Sequence, residues 1–303
     1  MMVQNEGNKK YRLAIQSVFL ARENILFLKE WLIYHIEIGV DHFYLYDNTG
    51  SVGRSGNSKG INKYGIPYGN ITSGMSDLDV QDIMDEIREE LPGRITYVKW
   101  TPRDKKGNIT YGWNEALVDY VQNYERDACW TCFIDIDEFL FSVKGNSIKD
   151  IIEKVEKDGY SDILIHQKKF DERYDNLDKH VTRIEGCVEG ISTTGWASKH
   201  ILRPEAVDLD ALINRTKGWN MHMIPIRNAK GMWMDVAELR FNHYNTNKYL
   251  LKWMKGYYKA TEDFCLNGRD DGMKKYWQAI ESKCKRNCCM DILERFPIVR
   301  KIP

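Results

Sequence analysis

No run of apolar residues in this 303-residue chain approaches the roughly 20 needed to cross a bilayer as a helix. Residues 1–12 are polar and lack the apolar core of a secretory leader, so the sequence reads as a soluble, cytoplasmic protein with no transmembrane segment. Charge of one sign is not in excess either. Lys and Arg number 44 against 44 Asp and Glu, which gives no field for nucleic acid or anionic lipid. The signatures G-x-x-x-x-G-K-[ST], G-x-G-x-x-G after a strand, G-x-S-x-G and H-E-x-x-H are missing. Their absence leaves P-loop, dinucleotide-binding, serine-hydrolase and zincin chemistry unsupported.

Cysteine use narrows the field further. The chain has 7 Cys, an odd number, and without a secretory leader they read as reduced thiols. Cys129-x-x-Cys132 has no second C-x-x-C to complete a zinc site and runs straight into a strand, so buried core thiols are expected there. Cys284, Cys288 and Cys289 lack metal-ligand spacing. There are no internal repeats and no Pro-rich linker.

What the chain does have is an alternation of apolar strands and amphipathic helices, over a length that suits one large α/β domain. Residues 13–19 read as a first strand, followed by a polar turn at Arg22, Glu23 and Asn24. Residues 25–38 read as a helix, with apolar positions at Ile25, Leu28, Trp31, Leu32 and Ile36 and a stop at Gly39. A second strand at 42–46 ends in Asp47-Asn48-Thr49-Gly50. This β-α-β unit signals a parallel sheet. Helices are expected over 76–91, 113–124 and 148–157, and strands over 95–100, 130–134 and 162–170. Residues 50–74, rich in Gly, Ser and Asn, read as a long surface loop, and 171–195 as irregular. Short strands are expected at 200–202 and 221–226, and surface helices at 249–264 and 272–285. Nine Trp and 17 Tyr suit surfaces that stack on sugars or bases, and serve a large core equally well.

One stretch stands apart, Phe133-Ile134-Asp135-Ile136-Asp137-Glu138-Phe139-Leu140. Ionised acids are costly to bury without partners, so Asp135 and Asp137 belong at the end of a strand rather than inside it. That is where an open α/β sheet binds its ligands. At positions i and i+2 the two carboxylates can offer hard oxygens to a divalent ion carrying phosphates. The plain alternative is a strand stopping in a solvated acidic turn. Other strand ends are also polar: Arg22 and Asn24 after the first, Asp47 and Asn48 after the second. In one parallel sheet these frame a single crevice, which fits a nucleotide diphosphate with Mg²⁺ or Mn²⁺.

Together, Glu30-Trp31-x-x-x-His35, Gly39-Val40, Tyr46-Asp47-Asn48 and Phe133-x-Asp135-x-Asp137-Glu138-Phe139 resemble the family 92 (DUF23-type) glycosyltransferases and their family 2-like relatives. Lys199-His200-Ile201-x-x-Pro204 and His243-Tyr244 look like that family's later blocks. The resemblance implies a GT-A fold with a mostly parallel central sheet flanked by helices. It implies a nucleotide-sugar donor, a glycan or glycoconjugate acceptor, Mn²⁺ or Mg²⁺ held through the D-x-D, and inversion at the anomeric carbon. On that basis residues 1–140 are the nucleotide-binding half, 141–250 the acceptor-side half and 251–303 a C-terminal helical extension of one domain.

Carried over residue by residue, the resemblance gives Asp47 to the nucleoside, with Arg22 and Asn24 beside it on the donor side. It gives Asp135 to the donor and the metal, Asp137 to the metal directly, His243 to the metal shell or diphosphate, and Lys199 to the leaving phosphate. Each has a structural alternative: His243 as a core histidine, Lys199 as a solvated charge, and Trp31, His35 and His222 as packing. Direct inversion needs one base, for which Glu238 is placed ahead of Asp235 and Asp171. Two other readings stand beside the transferase. A nucleotidyltransferase also uses strand-end acids and Mg²⁺, but residues 19–24 carry no Gly-rich phosphate loop. A catalytically dead carbohydrate-binding relative would keep the fold without turnover.

Overall fold

The structure is a computed structural model that describes residues 9–51, 75–170, 186–192, 198–214, 221–244, 268–284 and 289–296. Strand β1 (Tyr11–Phe19) is buried along most of its length, as expected of a central strand covered on both faces. It pairs in parallel with β2 (His42–Asp47) on one side and β4 (Ala128–Phe133) on the other, and β2 pairs in parallel with β3 (Ile95–Lys99). Helix α1 (Ala21–Glu37) connects β1 to β2. Because β1 to β4 all run the same way, the segments after Phe19, Asp47, Lys99 and Phe133 lie along one edge of the sheet.

Helix α1 begins four residues earlier than the hydrophobic period indicates, so Arg22, Glu23 and Asn24 belong to its first turn rather than to a loop. The extra turn has a cause outside the helix. No side chain caps it locally, but the Asp47 carboxylate at the end of β2 accepts from the Ala21 N–H at 3.0 Å. A carboxylate at a helix N-terminus satisfies an orphan donor and opposes the helix dipole. At the other end Gly39, with φ of 103°, takes the left-handed conformation that closes the helix.

Helix α2 (Asp77–Glu90) opens on a capping box between Ser76 and Asp79, and α3 (Trp113–Tyr124) buries Ala116, Leu117, Tyr120 and Val121. Strand β5 (Glu138–Ser142) leaves the acidic turn, and α4 (Ile148–Lys157) buries Ile148, Ile151, Ile152 and Val155. Strand β6 (Asp162–Phe170) is the hub of the second half. Its first part pairs with β8 (Lys199–Leu202) antiparallel and β9 (Gly231–Trp233) parallel. Its second part pairs with β7 (Gly186–Ser192) antiparallel and β10 (Leu239–His243) parallel.

The sheet runs in the order β11-β7-β6-β8-β4-β1-β2-β3, where β11 is Arg269–Asp270, and β5 joins through β10. The result is a mixed α/β architecture with helices on both faces. Its parallel run is β3-β2-β1-β4, while β5, β7, β8 and β11 enter antiparallel. Two apolar clusters cover the faces, one around α1, Trp31 and Phe43, the other around α3, Tyr44 and Phe133. Among the described residues no helix is long and apolar enough to cross a membrane.

Several expectations change here. Residues 221–226 form a turn and isolated bridges, such as Ile226 with Val207, rather than a strand; Pro225 removes a ladder donor. Residues 186–192, read as irregular, form β7. Residues 272–285 divide into a 3-10 turn (Gly272–Tyr276) and a short helix (Trp277–Lys283). The helix expected at 249–264, most of the loop at 50–74 and residues 171–185 and 193–195 of the irregular stretch lie outside the described residues.

Candidate functional site

The acids stand where β4 ends. In the turn that follows β4, Ile134 and Ile136 are buried while Asp135 and Asp137 stay partly open to solvent. Their side chains remain 29% and 18% exposed. Glu138 closes the turn. Its N–H donates to the Asp135 carbonyl at 3.1 Å, and its carboxylate accepts from the Asp135 N–H at 2.9 Å. The Trp31 indole N–H donates to the Glu138 carbonyl at 2.8 Å, the Tyr34 hydroxyl donates to Leu140, and the Leu140 N–H donates to His35 Nε2 at 3.3 Å. Burial holds His35 neutral, down to about 3. Trp31 and His35 are thus structural: they seat β5 on α1.

Lys199, the first residue of β8, is 1% exposed, so it is not a solvated charge. Its ammonium donates to Asp135 at 2.8 Å and sits 3.1 Å from Glu138. Burial works against the charge, and the two carboxylates outweigh it, raising Lys199 above its ordinary value. Burial likewise pushes the Glu138 carboxyl up to about 7, against the pull of Lys199. His243, at the end of β10, faces Asp137 with Nε2 at 3.2 Å from a carboxylate oxygen, and its Nδ1 lies 2.6 Å from the Gln167 amide nitrogen. Burial opposes ionisation of both partners, yet their attraction prevails: Asp137 is lowered and His243 raised.

Further along the same edge lies a cleft of about 460 Å³. Arg22, Asp47, Asp77, Tyr97, Lys99 and Trp100 line it, together with Thr49 and Gly50. Its volume falls within the range of small-molecule sites. The Asp47 carboxylate in its wall is filled from within. One oxygen accepts from Ala21 N–H, Thr49 N–H and the Thr49 hydroxyl at 3.0, 3.0 and 2.6 Å. The other accepts from the Tyr97 hydroxyl at 2.6 Å. Arg22 pairs with Asp77 at 2.6 Å and donates to the Met75 carbonyl at 3.1 Å. Asn24 accepts from Leu20 N–H at 3.3 Å and does not line the cleft.

The structure brings Asp135, Asp137, Lys199 and His243 into one cluster. Asp235 and Glu238 are not part of it. Both stand in the turn before β10, with Glu238 N–H on the Asp235 carbonyl at 2.8 Å. Strand β10 runs away from them, Leu239 opposite Ser142 and His243 opposite Glu138. Five residues of extended chain separate Glu238 from His243, about 17 Å. Asp171 lies outside the described residues. His222 Nδ1 bonds the Ser198 carbonyl at 3.0 Å, the packing role expected of it.

Among the described residues no group of three or more His, Cys, Asp or Glu side chains forms a complete metal shell. The donor chemistry of Asp137 and His243 nevertheless suits a divalent ion. Their 3.2 Å separation matches the roughly 3 Å between adjacent ligands of an octahedral ion with bonds of about 2.1 Å. Gln167, Tyr97, Lys99 and Glu138 are the site residues that sequence reasoning did not assign. Only Glu138 carried a local signal, as the third acid of the run.

The profile of glycosyltransferase family 92 matches residues 61–278 of the chain. The chain belongs to that family. A family 92 protein of Oryza sativa subsp. japonica is 28% identical over 149 residues, covering 48% of this chain and 20% of the relative. One of Ricinus communis is 25% identical over 160 residues, covering 50% of this chain and 21% of the relative. The matched stretch is thus about a fifth of the length of these curated relatives. Among solved structures, a UDP-glucose pyrophosphorylase from Acinetobacter baumanii aligns over 90% of this chain and 99% of its own, with 10% identity and a TM-score of 0.35. In this family 92 chain Trp31 and His35 of α1 hold the backbone of Glu138 and Leu140, where the chain leaves the acidic turn.

Proposed function

We propose that this family 92 chain is a glycosyltransferase moving a sugar from a nucleotide-diphosphate sugar, UDP-linked by family resemblance, to a hydroxyl of a glycan or glycoconjugate. One observation carries the reading: two strand-end carboxylates stand with Lys199 and His243 on the same sheet edge as a nucleoside-sized cleft. The nucleoside occupies the cleft, with Tyr97 and Trp100 offering ring faces and Arg22 and Lys99 offering positive charge. Asp47 shapes this cleft by holding the first residue of α1 and the segment that leaves β2.

Mn²⁺ or Mg²⁺ would be held by Asp137 and His243, with Asp135 beside them, and would supply positive charge against the leaving diphosphate. Lys199 holds the Asp135 carboxylate in place and shares its positive charge with the same corner. The acceptor oxygen bonds to the anomeric carbon from the face opposite the diphosphate. The bond to the leaving oxygen breaks, and the acceptor proton passes to a carboxylate. With Asp235 and Glu238 about 17 Å down β10, Asp171 is the first candidate for that base.

The test is release of nucleoside diphosphate from a panel of nucleotide sugars, with and without Mn²⁺. The expected result is Mn²⁺-dependent release for one donor, lost in Asp137→Asn. Asp171→Asn keeps donor binding and loses transfer. Pyrophosphate-linked exchange between nucleoside triphosphate and sugar phosphate would replace this reading with nucleotidyl transfer, and sugar binding without turnover would replace it with a binding relative.

A further inference from the structure

The His243 ring is engaged at both nitrogens, and the partner on the outer side is an amide. Nε2 faces Asp137 at 3.2 Å, and Nδ1 lies 2.6 Å from Gln167 Nε2. Register sets this up: β10 pairs in parallel with β6, with Phe241 opposite Gln167 and His243 opposite Lys169. Gln167 and His243 are therefore same-face diagonal neighbours. Among the described residues no other hydrogen bond holds the Gln167 side chain.

A neutral imidazole has one N–H and one lone pair, and what meets one nitrogen decides the state of the other. With the Gln167 NH₂ donating to Nδ1, the ring proton sits on Nε2 and points at Asp137. His243 and Asp137 then satisfy each other, and Nε2 has no lone pair to give. With the amide turned by half a rotation, its oxygen accepts from Nδ1–H. The Nε2 lone pair then faces the carboxylates. The turn exchanges two atoms of similar size and moves no backbone.

We propose that Gln167 is a positioning residue whose amide orientation sets the tautomer of His243, switching the Asp137–His243 pair between a self-satisfied form and one open to a divalent cation. The inference rests on the cation reading above. It assigns to β6 a role in loading the site, although no β6 side chain need touch the donor. Residues that orient a metal-binding histidine typically change metal affinity by about 10- to 100-fold.

The experiment uses the full chain with Mn²⁺ as the only ligand. Mn²⁺ affinity is measured by electron paramagnetic resonance and by thermal shift, in wild type, Gln167→Glu, Gln167→Met and His243→Ala. Side-chain ¹⁵N spectra of the histidines in the metal-free proteins report the tautomer. Gln167→Glu can only accept, so His243 is expected as the Nδ1–H form with Mn²⁺ affinity at or above wild type. Gln167→Met offers no partner, and affinity is expected to fall about tenfold or more at unchanged metal-free melting temperature. Binding by Gln167→Met within twofold of wild type, or a His243 tautomer that is the same in all Gln167 variants, overturns the proposal. Should wild type and His243→Ala bind Mn²⁺ equally weakly, the cation reading falls. The tautomer spectra alone then decide whether Gln167 governs His243.

Discussion

The Trp31 indole N–H donates to the Glu138 carbonyl at 2.8 Å, tying the middle of helix α1 to the strand that leaves the acidic turn. Both groups are buried, so neither can turn to water if the other is removed. Trp31→Phe keeps most of the ring volume and removes the donor. It is expected to destabilise the fold by about 1–3 kcal/mol, read as a lower urea midpoint. Because the bonded carbonyl belongs to the turn, donor-dependent turnover should fall as well at temperatures where the variant stays folded.

Lys199 is the buried counter-charge of the part-exposed Asp135 and the buried Glu138. Lys199→Met leaves both carboxylates unpaired, and a loss of about 3–5 kcal/mol is expected. Adding Glu138→Gln should return part of it, giving a double-mutant coupling above about 1 kcal/mol in urea unfolding. Additive single effects would mean that the two groups do not interact.

Acid sensitivity should come in part from two histidines kept neutral inside the fold. Burial lowers His35 to about 3 and His42 to about 4. His42 bonds the Gly93 carbonyl at 3.1 Å and Thr96 at 2.8 Å and stacks on Tyr11. An unfolded histidine takes up its proton near pH 6.5, so between about 6.5 and 4 the unfolded chain binds more protons. The stability present above pH 6.5 is therefore lost as pH falls toward 4, at about 1.4 kcal/mol per pH unit for each histidine. Unfolding free energies of His42→Gln across that window should show a shallower slope than wild type.

Asp47 holds four donors, so Asp47→Asn puts an NH₂ group against at least one of them. A loss of about 2–3 kcal/mol is expected, with weaker nucleotide binding following from displacement of the α1 start and the segment after β2. Tyr97→Phe removes one donor from the same carboxylate and should cost about 1–2 kcal/mol. Thermal midpoints with and without added UDP separate the two effects.

Much of this was legible in the sequence. Helix α3, helix α4 and strand β6 have the bounds that periodicity gives, because their apolar positions are long and regular. The acid pair was legible too, since ionised residues after an apolar strand have few places to go. Strands β5 and β10 were not read, being five residues each, with Glu138 and Arg240 at buried positions whose partners lie far away in sequence. Lys199 reads as an ordinary surface charge until β8 is paired between β4 and β6. Asp235 and Glu238 looked close to His243 by count, but the extended strand carries them to the other end of β10. Gln167 had no signal, because its meeting with His243 depends on a strand register that only the assembled sheet defines.

Asp47 also bears on any effort to redirect the donor. A carboxylate already committed to an amide of α1, to Thr49 and to Tyr97 has little left to read a base with. It acts as a keystone of the cleft's frame. Variants sought for altered nucleotide preference should therefore randomise Lys99, Trp100 and Gln81, which face the same space, and leave Asp47 and Tyr97 untouched.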